Sequence, residues 1–165
     1  MSEKIRSPRN CSELGPALRK ITKIILSNQN ICKLLYYTDK DPLGNKDIEC
    51  TNELYGDLVK IVPKLMPEET AHSYVVPVIV NGIKSKRNGE FRDFLIKIYV
   101  YVPMDQWVIK GDNLRPFAIL GELQKILCDK YITGLGTLDG GDFNLNLFTG
   151  SMTCYTIDFY LTNYD

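Results

Sequence analysis

Between Tyr74 and Val102 the sequence holds two long stretches in strand period joined by a tight-turn signal, and no other feature limits the fold as much. Val75, Val76, Val78, Ile79, Val80 and Ile83 are β-branched, the type that suits a pleated, half-buried surface. Pro77 marks this strand for an edge or a bulge, because proline has no N–H to give a central ladder. Ser85-Lys86-Arg87-Asn88-Gly89-Glu90 follows, and Asn-Gly supplies the positive φ angles of a short hairpin turn. The returning strand alternates Phe94, Ile96, Ile98, Val100 and Val102 with Asp93, Lys97, Tyr99 and Tyr101. One face is therefore core and the other is wet or covered by a partner. Arms of about eleven residues reach about 36 Å at about 3.3 Å per residue, close to the diameter of about 40 Å of a compact domain this long. The hairpin tip must lie at an extremity.

Helical period flanks the hairpin. Leu14, Ala17, Leu18, Ile21, Ile24 and Ile25 share a face, with Ser12 as the expected N-cap and Pro16 in the first turn. Ser27-Asn28-Gln29-Asn30 breaks that pattern, and a shorter helix carrying Ile31, Leu34 and Leu35 is expected to stop near Thr38. Thr51 to Leu58 has the pattern of another short helix. Asp112 or Asn113 is placed to cap a helix with Leu114, Phe117, Leu120, Leu123, Ile126 and Leu127 on its buried side. Strands are expected over Tyr131 to Thr137, over Phe143 to Phe148 after a turn at Asp139-Gly140-Gly141-Asp142, and over Met152 to Asn163. This order gives an α+β fold: an antiparallel or mixed sheet with a long hairpin, packed on one face by the N-terminal helices and one later helix. Residues 1–11 read as a flexible arm and residues 12–165 as one domain.

Catalytic equipment is not legible. His72 is the single histidine and has no partner motif; Gly134-Leu135-Gly136 lacks the third glycine of a dinucleotide fingerprint and opens no helix. The loop Thr38 to Cys50 superficially resembles a calcium loop through Asp39, Asp41, Gly44, Asn45 and Asp47, but Cys50 stands where a bidentate Glu is required. Asp139 and Asp142 read as turn residues rather than metal ligands. Five scattered cysteines, never in C-x-x-C, fit neither a disulfide framework nor a zinc site and point to a reducing compartment. Without an apolar run long enough for a signal or a span, the expectation is a soluble protein made in a cytoplasm. No enzyme activity and no cofactor are expected.

Charge is informative only in its placement. Twenty basic and twenty acidic residues cancel, which argues against a dedicated nucleic-acid binder. Around the hairpin tip, however, Lys84, Lys86, Arg87 and Arg92 face Glu90 alone, while Tyr131 to Asp165 holds Asp139, Asp142, Asp158 and Asp165 and no Lys or Arg. A basic extremity meeting an acidic surface on the next copy is a heterologous contact, the kind that closes rings. Tyr99 and Tyr101, on the strand face turned from the core, suit such an interface. Trp107, the only tryptophan, reads either as a lid over the core edge or as an anchor between subunits.

The run Asn30-Ile31-Cys32-Lys33-Leu34-Leu35-Tyr36-Tyr37, then Asp41-Pro42-Leu43, the long hairpin, Trp107 before Leu114-Arg115-Pro116, and Gly134-Leu135-Gly136 together resemble neck and tail-completion proteins of tailed bacteriophages, the tail-terminator type in particular. The resemblance implies a structural virion protein assembled in the host cytoplasm: a ring, commonly hexameric, that ends the tail tube and joins it to the head-side connector. Its partners would be further copies of itself, tail tube or sheath proteins, connector or adaptor proteins, and DNA passing through the channel without sequence readout; no membrane is involved. Contact roles would fall to the tip from Lys84 to Arg92 and to the strand from Phe91 to Val102. The alternatives are a different neck ring, such as a head-closure protein, or a small cytosolic protein-binding domain.

Overall fold

In a computed structural model of the chain, the residues described are 11–63, 70–84, 92–133, 135–146 and 150–162. The elements are α1 (Leu14–Ser27), α2 (Gln29–Tyr36), β1 (Tyr74–Lys84), β2 (Arg92–Pro103), β3 (Val108–Ile109), β4 (Asn113–Leu114), α3 (Arg115–Leu127), β5 (Lys130–Ile132), β6 (Gly136–Asn146) and β7 (Met152–Thr162). The fold is α+β. β1, β2, β7, β6 and β5 lie in that order in one antiparallel sheet, and β3 with β4 forms a small second sheet. β7, last in sequence, inserts between β2 and β6, and the helices cover one face.

That face is dictated by period. Phe94, Ile96, Ile98, Val100 and Val102 of β2 and Ile157, Phe159 and Leu161 of β7 are buried against Ile21 and Ile25 of α1, Ile31, Leu34 and Leu35 of α2 and Ile119, Leu123 and Leu127 of α3. Each such side chain contributes about 1.5–3 kcal/mol by leaving water. Asn28 joins α1 to α2: its N–H donates to the Ile25 carbonyl at 3.1 Å, and its side-chain oxygen accepts from the Ile31 N–H at 2.9 Å, capping α2.

β1 is an edge strand, as Pro77 predicts. The Val75 N–H donates outward to the Leu58 carbonyl and the Val75 carbonyl accepts from the Lys60 N–H. Two residues on, Pro77 faces the same way, so its missing N–H costs the β1–β2 ladder nothing. A bulge between Ile79 and Asn81 follows.

Several expectations are corrected. Ser12 does not cap α1: a 3₁₀ turn over Cys11–Glu13 runs into the helix, so Glu13 at the cap is already helical and makes no side-chain cap bond. Leu114 holds the cap position of α3, and Asn113 Oδ1 accepts instead from the Leu114 N–H at 2.8 Å. Thr51 to Leu58 gives only a 3₁₀ turn, Thr51–Leu54. Tyr131 to Thr137 is not one strand, because the chain reverses between β5 and β6 with the Leu135 N–H donating to the Ile132 carbonyl. Asp139 to Asp142 is not a turn: it lies inside β6, where Gly141 is the extra residue of a bulge against β7.

Two thiols lie deep in this packing. Burial pushes the thiols of Cys32 and Cys154 up from an ordinary value of 9.0 to about 11. The folded state then holds protons that the unfolded chain releases near 9, so their contribution to stability is complete below about pH 9 and is lost as pH rises towards 11. Brief alkylation at pH 8 is expected to modify exposed Cys11 and Cys50 and to spare Cys32 and Cys154 until the chain is unfolded, as peptide mass analysis would show.

Candidate assembly interface

The sheet has two unlike edges, each half covered. On β1 the covering segment, Leu58 to Lys60, bonds among the described residues to Val75 alone. Beyond it, Val78 to Lys84 has no outer backbone partner among the described residues, and Ile83 is 61% exposed. On β6 the situation is reversed end for end. β5 pairs with Gly136 to Leu138, and at the bulge the Gly140 carbonyl accepts from the Cys128 thiol at 3.2 Å and the Gly141 carbonyl from Gln124 Nε2 at 2.9 Å. Asp142 to Asn146 then runs on with no outer backbone partner among the described residues.

The β6 edge is apolar as well as acidic. Phe143 and Leu145 are 52% and 50% exposed. Phe143 meets half-exposed Phe117 of α3 edge on at 6.3 Å, and Phe117 meets Tyr155 at 5.3 Å. Unpaired strand edges with exposed apolar side chains template association unless something covers them. Asp139 and Asp142, both exposed, give this edge its sign; Asp139 Oδ1 accepts from the Gly140 N–H at 2.7 Å.

The residues singled out from the sequence separate as follows. Lys84 ends β1, exposed, opposite Arg92 at the start of β2. Lys86 and Arg87 lie outside the described residues. Tyr99 is half-buried, whereas Tyr101, expected on an open face, is only 6% exposed. The reason is lateral packing on the helix-free face: Tyr101 stacks on Tyr74 at 4.6 Å and on Tyr99 at 6.2 Å beside buried Met152 and Cys154, and burial pushes its phenol pKa up. Trp107 sits on the other face as a lid, tilted against Tyr155 at 6.1 Å with Nε1 donating to Thr153 Oγ1 at 2.6 Å. The sheet thus brings Tyr99 to Tyr101 and Asp139 to Asp142, puts Trp107 on the face opposite Tyr99 and Tyr101, and puts basic Lys84 and the acidic pair on opposite edges.

Two charged features escape a sequence reading. Lys97 Nζ is 2.9 Å from Asp158 Oδ1 and 3.2 Å from Oδ2 on the helix-free face, across the β2–β7 pairing, with Asp142 opposite Asp158 on the other side. Outward alternation predicts both residues on that face, but only the insertion of β7 makes them neighbours. Arg115 is fully buried and donates to four carbonyls: Nη1 to Leu34 at 2.6 Å and Tyr37 at 2.7 Å, Nη2 to Asp39 at 2.7 Å, and Nε to Gln106 at 3.0 Å. The carboxylates of the calcium-like loop are engaged internally, Asp39 with the Asp41 N–H and Asn45, and Asp41 with Lys110 at 3.0 Å. No helix among the described residues is long and apolar enough to cross a membrane.

A family model described as YomW matches residues 28–160. No curated protein matches the chain.

Proposed function

The chain belongs to the YomW family and is phage-associated, and on that premise we propose that it is a structural subunit of the virion. In this reading it forms a ring of the tail-terminator kind that ends the tail tube, meets the head-side connector, and leaves a channel for DNA. The observation that carries the reading is the inequality of the two sheet edges: one open and ending in Lys84, the other open and bearing Asp142, Phe143 and Leu145. Surfaces that differ in this way associate head to tail, and head-to-tail contacts close into rings when the rotation permits. The resemblance in element order is what supports a position at the end of the tail tube. Partners are then the same chain, tail tube or sheath proteins and connector proteins, with no catalytic step and no cofactor.

Reversing the tip charge tests this directly. Lys86→Glu with Arg87→Glu is expected to weaken assembly severalfold while leaving the midpoint of urea unfolding nearly unchanged, because charges in a turn that the sequence marks as solvated contribute little to folding. Sedimentation at several concentrations reads the first effect and circular dichroism the second. Unchanged sedimentation of the double variant would remove the tip from the interface.

A further inference from the structure

We propose that the junction between copies is a strand addition in which Asp142 to Asn146 of β6 pairs antiparallel with Val78 to Lys84 of the next copy's β1. The inference rests on the ring reading and names the surface that makes it. Successive neighbours across the sheet alternate in direction from β1 through β2 and β7 to β6. A rotated copy presents its β1 in the same sense as the first copy's own β1, which is antiparallel to β6. Pairing in this direction brings the Lys84 end of the incoming strand towards Asp142 and Asp139, so basic and acidic groups meet without any change of fold.

The open halves do not lie at the same height. Asn144, midway along the β6 segment, is level with Thr156, Tyr99 and Val76 across the sheet, whereas the midpoint of the β1 segment is Asn81. Allowing for the bulge, the offset is about four residues, or about 13 Å at about 3.3 Å per residue. One copy advances the sheet by four strands, about 19 Å at about 4.8 Å each. A closed ring built on this junction therefore has strands inclined at about 35° to its axis, within the range of closed barrels. With strands along the axis, the same junction climbs into a helix.

Asn81 and Asn144 are both exposed and both lie on the helix-free face, since Asn81 pairs beside Leu95 and Asn144 beside Thr156. The test is the full chain with Cys11→Ser, Cys50→Ser and Cys128→Ser, carrying Asn81→Cys and Asn144→Cys together, treated with a short bismaleimide and run on a denaturing gel. The junction predicts a ladder of trimers and higher species that neither single cysteine gives. Asp142→Lys is expected to cut the ladder about fivefold, the scale of an exposed charge pair, and Lys84→Asp to restore it. A product that stops at dimers, or dimers from one single variant, would overturn the junction by showing a symmetric contact. Ring-sized particles by native mass with no ladder would overturn the junction and leave the ring standing. Monomers by native mass with no ladder would overturn both.

Discussion

Replacing Arg115 by methionine is expected to lower the free energy of unfolding by about 3–5 kcal/mol, because it strands several buried carbonyls, each costing about 1–3 kcal/mol when left without a donor. Methionine matches the length of the stem and removes every donor. The carbonyls of Leu34, Tyr37, Asp39 and Gln106 then lose the guanidinium that collects them, and buried acceptors without donors are costly. The first two belong to the end of α2, where carbonyls have no partner within the helix. Arg115 therefore fastens α2, the loop after it and the connection after β2 to the start of α3. Lysine at this position keeps the charge and loses the fork, so Arg115→Lys is expected to fall well short of wild type. Urea unfolding followed by tryptophan fluorescence suits the measurement, because Trp107 lies on the segment Arg115 anchors: the Arg115 N–H donates to the Trp107 carbonyl at 2.7 Å. A loss below about 1 kcal/mol for Arg115→Met would show that water satisfies those carbonyls.

Gly140→Ala is the second large effect, about 3 kcal/mol of destabilisation, because its cause is backbone and cannot relax by a side-chain move. Gly140 has φ +113°, a conformation that residues with a Cβ rarely adopt, and a Cβ there would fall 2.7 Å from the Asp158 carbonyl oxygen. Accommodating it means shifting β6 against β7 at the bulge, the point from which the open edge runs. Gly121 supplies the contrast. It is in α3 with nothing within 4 Å of a Cβ, so Gly121→Ala is expected to raise stability by about 0.5–1 kcal/mol through helix propensity. Opposite signs in thermal unfolding check both; a neutral Gly140→Ala would mean that the bulge is not held by its backbone contact.

Local chemistry made much of this fold legible. Alternation exposed β2 and its buried face, and Pro77 announced an edge because a missing donor is tolerated only there. What stayed hidden depends on which strands become neighbours. Gly140-Gly141 between two aspartates carries the local marks of a turn; only the close backbone of β7 makes those glycines a bulge. Tyr101 has the position of an outward residue, and its burial comes from Tyr74 on β1 and Cys154 on β7, the strands that pair on either side of it. Arg115 reads as an ordinary cation at a helix start, since its acceptors at Leu34, Tyr37 and Asp39 lie 76 to 81 residues away. The proposed interface was legible as a charge contrast and not as a geometry: the acidic and basic segments were plain, while the half-open sheet edges appear only when β7 has closed the sheet.

Native mass measurement of the purified full chain over a range of concentrations, alone and with tail tubes, bears most directly on head-to-tail assembly through unlike edges. The account predicts a single closed species of fixed stoichiometry, seen by negative-stain imaging as a ring with a central channel. A chain that remains monomeric at high concentration and forms no ring on tail tubes, or one that stops at a symmetric dimer, would contradict it.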